Sequence, residues 1–361
     1  MFAVRLQALR ALKAAIETRR PRAKEASNID QRETSMFKRR SIAGLLTSVL
    51  VSLGASSAIS QESKFPSHAI HIIVPFAPGG GVDTLARLIA ERIQTKSGVT
   101  VIVENRAGAN ATLGGTYVQR APADGYTVLF SSNTHTMAKL VLADPPYNPL
   151  TDFTPIARVG EAPLLVVMSP KMPQATLAEV AAAVRKNPEL WAAGTPALGS
   201  PGHVATIQFM RLAKANLTVI PYRGTAPALN DVAGGHIQLL TDAIVVLLPM
   251  AKDGKVKGLA VTTKQRTALA PEIPTAAESG LPGLEVVSWY GMWGPKALPA
   301  DITNVLNTAC ADAIRELAES GRLAAVGVSA VYETPKEFDS YQAAEVARNA
   351  ELLKSVNFKP Q

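Results

Sequence analysis

Residues 70–76 read IHIIVPF, with no Lys, Arg, Asp or Glu among them. They run directly into Ala77-Pro78-Gly79-Gly80-Gly81 and then into Val82, Leu85, Leu88, Ile89 and Ile93, an apolar series at helical spacing. A strand this apolar needs cover on both faces, and the helix that follows it is the natural cover. The unit commits the chain to a sheet flanked by helices, and the same pattern then repeats. Strands are predicted at 99–103, 126–130, 164–168, 217–220, 237–240 and 257–261. Helical spacing falls at 177–185, 204–214 and 226–233, and two longer helices are predicted at 302–319 and 335–356. This alternation predicts an α/β fold of mostly parallel sheets.

The chain has 361 residues, more than one domain usually holds, and 47% of them are apolar against 18% charged. That composition builds a real core and fits two lobes. One lobe is expected to comprise residues 64–163 plus 287–361 and the other residues 164–286. The chain would cross near Pro163 and return through Ser288-Trp289-Tyr290-Gly291-Met292-Trp293-Gly294-Pro295. Two such crossings make a hinge, with a ligand cleft between the lobes. Trp289, Tyr290 and Trp293 at the return are read as core or hinge packing.

The single cysteine, Cys310, excludes an internal disulfide, and the five histidines show no HxxxH or HExxH spacing. No metal or cofactor is expected. The formal charge of +8 suggests a polyanion partner until it is located. Residues 1–60 hold eleven Lys or Arg and four acids, which leaves 26 basic and 25 acidic residues in the rest. A nearly neutral body lacks the footprint of a nucleic-acid binder. The leader itself has the layout of a secretory signal: Lys38-Arg39-Arg40, an apolar run over 42–55, then Ser56-Ser57-Ala58-Ile59-Ser60. Cleavage is expected after Ala58 or Ser60, with Met36 as the start of the signal and residues 1–35 as an upstream extension. The apolar run is short of the ~20 residues that span a bilayer. A periplasmic, monomeric protein is expected.

Two loops stand out as ligand-binding candidates. Phe76-Ala77-Pro78-Gly79-Gly80-Gly81-Val82-Asp83 links a buried strand to a helix N-terminus, where free N–H groups and the helix dipole favour an anion. It is neither a dinucleotide fingerprint, since Thr84 stands at the last glycine position, nor a P-loop. Asp83 reads as a cap for the first helical turn. Gly194-Thr195-Pro196-Ala197-Leu198-Gly199-Ser200-Pro201-Gly202-His203 is a second loop of the same kind. Leu198 at the first position of G-x-S-x-G argues against a nucleophile elbow at Ser200. His203 reads either as a structural cap or as a ligand-facing group. Together the loops suggest two amide cradles facing each other across the cleft and gripping a small carboxylate. Ser131, Asn133 and Thr134 end a strand where parallel sheets bind ligands. Tyr222 and Arg223 follow another strand. Asp242 either lines the cleft or pairs with Arg223.

Several segments resemble the Bug family, the extracytoplasmic solute receptors of tripartite tricarboxylate transporters. They are the stretch from Ile72 to Arg87, Val103-Glu104-Asn105-Arg106-Ala107-Gly108-Ala109-Asn110, Pro122-Ala123-Asp124-Gly125-Tyr126, Gly199-Ser200-Pro201-Gly202-His203, Tyr222-Arg223-Gly224-Thr225-Ala226-Pro227, Pro271-Glu272-Ile273-Pro274-Thr275 and Trp289-Tyr290-Gly291. The resemblance implies a two-lobed periplasmic-binding-protein-like fold of the second structural class. It also implies capture of a small organic carboxylate by lobe closure, without chemistry, for delivery to membrane transporter subunits. Ligand contacts would come from Phe76, Ala77, Gly79, Gly80, Asp83, Ser131, Asn133, Thr134, Gly199, Ser200, His203, Tyr222 and Asp242. Val82 and Asn110-Ala111-Thr112 depart from the family pattern and bear on ligand shape. An exported hydrolase using the same cleft is the alternative reading.

Overall fold

A computed structural model describes residues 65–361. The leader, its extension and its cleavage site lie outside the described residues.

β1 (Ile70–Val74) sits between β2 (Val101–Asn105) and β3 (Thr127–Ser132), and both pairings are parallel. α1 (Gly81–Ser97) buries Val82, Leu85, Ala86, Ile89 and Ile93 on one face of these strands, and Gly98 ends it in the left-handed conformation that suits glycine. α2 (Thr112–Gln119) and α3 (Thr134–Val141) cover the other face. β4 (Phe153–Met168) is the longest strand. Its residues 153–163 pair antiparallel with β9 (Val287–Pro295), and β9 pairs antiparallel with β3. From Leu164 onward β4 changes partners, pairing with β7 (Leu239–Ala243) and β8 (Lys257–Val261).

β5 (Ala192–Thr195), β6 (Thr218–Pro221) and β7 repeat the parallel pattern of the first three strands. They are covered by α4 (Leu177–Lys186), α5 (Pro201–Ala213), α6 (Thr225–Gly234) and α7 (Ile244–Lys252). α8 (Ala300–Glu319), α9 (Arg322–Ala325), the short β10 (Ser329–Ala330) and α10 (Pro335–Ser355) then return to the first group of strands. The order is β2-β1-β3-β9-β4-β7-β5-β6, with β8 and β10 also on β4.

The chain therefore has the α/β, two-lobed fold of periplasmic binding proteins. The expectation of mostly parallel sheets is corrected in one respect. The outer strands are parallel, but every ladder made by the crossing strands β4 and β9 is antiparallel, so the sheet is mixed. The cause is connectivity: a strand that returns from the far lobe beside the one that left must run the opposite way.

Trp289 and Trp293 on β9 are fully buried with Phe338 of α10, in keeping with the packing role read from the sequence. A further apolar cluster joins Met137 and Val141 of α3 and Leu353 of α10 to Leu198, Val204 and Ile207 around α5. It ties the two groups of strands together beside the cleft.

Candidate functional site

The loops after β1, β3, β5 and β7 converge at the carboxyl ends of their strands, where open α/β sheets bind ligands. In the first loop Gly79 has a φ of +85°, and its N–H donates to Asp83 Oδ2 at 3.0 Å. Arg87 Nη2 donates to Asp83 Oδ1 at 2.9 Å, as does Asn105 Nδ2, which also donates to the Phe76 carbonyl at 3.1 Å. Burial opposes the charge on Asp83, but hydrogen bonds from Arg87, Gly79 and Asn105 outweigh it and hold the carboxyl below its ordinary value. Asp83 and Asn105 thus shape the loop from behind. Gly80, at the N-cap, is extended and brings no side-chain cap. The first-turn amides of Gly81 and Val82 are therefore left without a partner inside the helix. They border a buried cavity that Phe76, Gly80, Gly81 and Val82 line from the first lobe.

The other walls come from Ser132 and Thr134, from Pro196 and Ser200, and from Thr225, Asp242, Ala243, Ser288 and Tyr290. The cavity is small, with room for about one water molecule. It is this tight because the lobes are drawn together. Ala77 N–H donates to the Arg223 carbonyl at 3.0 Å. Asn110 donates through Nδ2 to the Leu198 carbonyl at 3.1 Å and accepts from the Leu198 N–H at 2.6 Å. Ala109, Asn110 and Ala111 hold left-handed φ values of 46°, 54° and 66° to present that side chain. This is a costly run for residues other than glycine.

Phe76, Gly80, Thr134, Ser200 and Asp242, all expected at the site, meet at this cavity. The other expected residues stand behind or beside it. Ala77 and Gly79 have their amides engaged as described. Ser131 and Asn133 are buried one position away from the lining, with Ser131 Oγ and Asn133 Oδ1 lacking a partner. Tyr222 donates from its hydroxyl to Asp231 at 2.6 Å and lines an adjoining recess with Phe76, Asn110 and Arg223.

In the second loop several of the amides expected to form a cradle are engaged within the loop. Gly199 N–H donates to His203 Nδ1 at 2.9 Å, His203 N–H to Ser200 Oγ at 3.1 Å, and Ser200 N–H to the Ala197 carbonyl at 3.2 Å. Burial pushes the His203 imidazole down to about 4, so it is neutral and serves as a cap for its own loop. Ser200 Oγ pairs with the Thr195 hydroxyl at 2.7 Å rather than with an imidazole. Asp242 does not pair with Arg223. It accepts from the Thr225 hydroxyl and from the Ala243 N–H, the latter at 2.8 Å.

Ser132 belongs to the polar run at the end of β3 that the sequence already singles out, whereas sequence reasoning passed over Thr225, Ser288 and Tyr290. Thr225 was open to discovery, since it begins a helix directly after a strand and a Gly-containing turn, as Gly81 does. Tyr290 was hidden by its packing role. Its ring is in the core while its hydroxyl, without a partner, reaches the cavity.

Comparison with known proteins agrees with this architecture. Residues 85–358 match the family described as tripartite tricarboxylate transporter family receptor. The protein BugT of Bordetella pertussis is 32% identical over 312 residues, covering 86% of this chain and 95% of BugT. Among solved structures, the periplasmic binding protein BugD superposes with a TM-score of 0.78 at 32% identity, over 82% of this chain and 100% of BugD. Rpa4515 of R. palustris, solved with adipate, gives 0.79 at 32% identity over 82% of this chain and 100% of its own. MatC of Rhodopseudomonas palustris, solved with bound malate, gives 0.76 at 31% identity over 80% of this chain and 100% of its own.

Proposed function

Because the chain belongs to the receptor family of tripartite tricarboxylate transporters, we propose that it captures a small organic carboxylate in the periplasm by lobe closure and delivers it to membrane subunits of such a transporter. The observation that carries this reading is the uncapped N-terminus of α1, whose first-turn amides border a buried cavity beside the unpartnered Tyr290 hydroxyl. A partly buried anion at such a terminus gains about 1–2 kcal/mol from the helix dipole, before any hydrogen bonds are counted. Relatives of the same fold hold adipate and malate.

In this reading the lobes divide at 163/164 and 286/287, supported by the change of partners along β4 and by the start of β9. Export follows from the signal-like leader, with cleavage near Ala58 or Ser60. Large exposed apolar side chains number six among the described residues, at Ile102, Leu113, Tyr117, Leu190, Val305 and Tyr332, and that low count supports a monomer. A hydrolase is not favoured, because Ser200 is held by Thr195 and His203 caps its own loop.

Thermal-shift measurements on the chain from Gln61, against a panel of carboxylates, test the reading. Stabilisation by at least one carboxylate is expected, and Gly80→Val should lose it while melting near the unliganded parent. A Cβ on Gly80 makes only ordinary contact, 3.5 Å from Thr225 Oγ1, so the branched methyls would fall in the cleft. Strong stabilisation by a non-acidic solute and by no acid would overturn the assignment.

A further inference from the structure

Asp242 is the one ionised side chain on the cavity wall, only 7% exposed, at the end of β7. Each of its oxygens has one protein partner: Oδ2 accepts from the Thr225 hydroxyl and Oδ1 from the Ala243 N–H. A carboxylate can accept about four hydrogen bonds, so half its capacity is unspent. No Lys, Arg or His among the described residues contributes to its environment; burial is the main influence and pushes its carboxyl up to about 6. Asp242 therefore still carries charge at neutral pH, in a place where charge is costly without compensation.

The position of α1 sharpens the problem. A Cβ placed on Gly81 would lie 3.4 Å from Cβ of Ala243, the residue after Asp242, and 3.2 Å from the Tyr290 hydroxyl. A Cβ on Gly80 would lie 3.5 Å from Thr225 Oγ1, which is itself bonded to Asp242. The anion-attracting amides and the buried acid are thus neighbours. A solute carboxylate at α1 comes close to a second negative charge, and like charges so placed repel. A hydrogen-bond donor on the carbon next to the solute carboxylate resolves both difficulties, since it fills the unspent acceptor sites and screens the two charges from each other.

We propose that Asp242 is a specificity determinant, accepting a hydrogen bond from a hydroxyl or ammonium group carried beside the solute carboxylate that α1 holds, so that 2-hydroxy and 2-amino carboxylates are preferred over their unsubstituted counterparts. This rests on the carboxylate-receptor reading above. It goes beyond that reading in assigning the chemistry of the second group on the solute, and in giving the acid a positive role where a carboxylate site would otherwise exclude one.

Calorimetry with the chain from Gln61 at pH 7.5 decides it, using sets of acids that differ only at the 2-position: propionate, lactate and alanine; succinate, malate and aspartate; glutarate, 2-hydroxyglutarate and glutamate; phenylacetate, mandelate and phenylglycine. In the set whose size fits, a donor-bearing member should bind at least tenfold more tightly than the unsubstituted acid. Asp242→Asn, which keeps shape and can still engage Thr225 and Ala243, should reduce that preference to within about threefold while holding or improving affinity for the unsubstituted acid. Equal or tighter binding of the unsubstituted acid by the parent protein would overturn the proposal and leave the carboxylate reading standing. So would an unchanged ratio in a folded Asp242→Asn protein. If that variant does not fold, the comparison within the parent protein decides alone. Failure of every acid in every set would overturn both readings together.

Discussion

At the residue scale the site is a contest between burial and charge, and Asp242 is where it can be measured. Its carboxyl is pushed up to about 6 from an ordinary value near 3.8. The folded protein therefore holds this proton more tightly than the unfolded chain does. The resulting penalty is absent below about pH 4, grows between pH 4 and 6, and is fully present above that. Its size is of the order of 3 kcal/mol, from about 1.4 kcal/mol per pKa unit. Without solute, Asp242→Asn should be more stable than the parent at pH 7 and lose that advantage on descent to pH 4. Denaturant unfolding of both proteins across this range checks the sign, because the difference cancels all other titrating groups.

Gly202 gives a second test at this scale. A Cβ there would lie 1.8 Å from the Thr241 carbonyl oxygen, so the first turn of α5 rests directly on β7. Gly202→Ala should cost roughly 3 kcal/mol through overpacking against backbone that cannot yield, read as a lower denaturation midpoint. The polar run that ends β3 shows the limit of sequence at this scale. Ser131 and Ser132 are equivalent in the sequence, but strand parity puts Ser132 with Val128 and Phe130 and sends Ser131 to the other face with Leu129. Only knowing which face meets the cleft separates them.

At the scale of elements, what was legible followed the strength of the local pattern. β1, α1, β8, α4 and α10 lie within a few residues of where apolar spacing put them, because each has a strong period, with clear boundaries such as the Gly98 stop of α1 and the Thr334 capping box that starts α10. β5 went unread because Ala192-Ala193-Gly194-Thr195 has no Val, Ile or aromatic residue to mark it as a strand. The space there is already filled, and a Cβ on Gly194 would lie 2.6 Å from Ile237. α7 was masked by Pro249 within it, and the first half of β4 by Pro155 and Pro163. Pro155 is tolerated because the ladder to β9 shifts register just after it. The second loop holds contacts of a different origin. Its glycines and hydroxyls do sit at a helix start, as the sequence indicates, but local composition could not reveal that His203 folds back to fill the loop's own acceptor and donor needs.

At the scale of the whole molecule, Asn110 makes two of the hydrogen bonds that draw the lobes together. Its reciprocal hydrogen bonds to Leu198 cross the cleft and offset three successive left-handed residues. Asn110→Ala should remove that compensation. We expect about a tenfold loss of solute affinity, equivalent to about 1.4 kcal/mol, together with a lower melting temperature of the unliganded protein. Small-angle scattering should show a larger radius of gyration for the variant at solute concentrations that compact the parent.

The traffic between the lobes runs through β4 and β9, which lie side by side and hydrogen-bonded, in unbroken register from Gly160 to Pro163. A joint made of paired ribbons bends readily across its width but resists sliding and twisting. In the proposed closure the two halves would swing about this joint, and their outer surfaces would change in the angle they subtend. That angle is what a membrane partner, in the proposed role, would sense to distinguish a laden receptor from an unladen one.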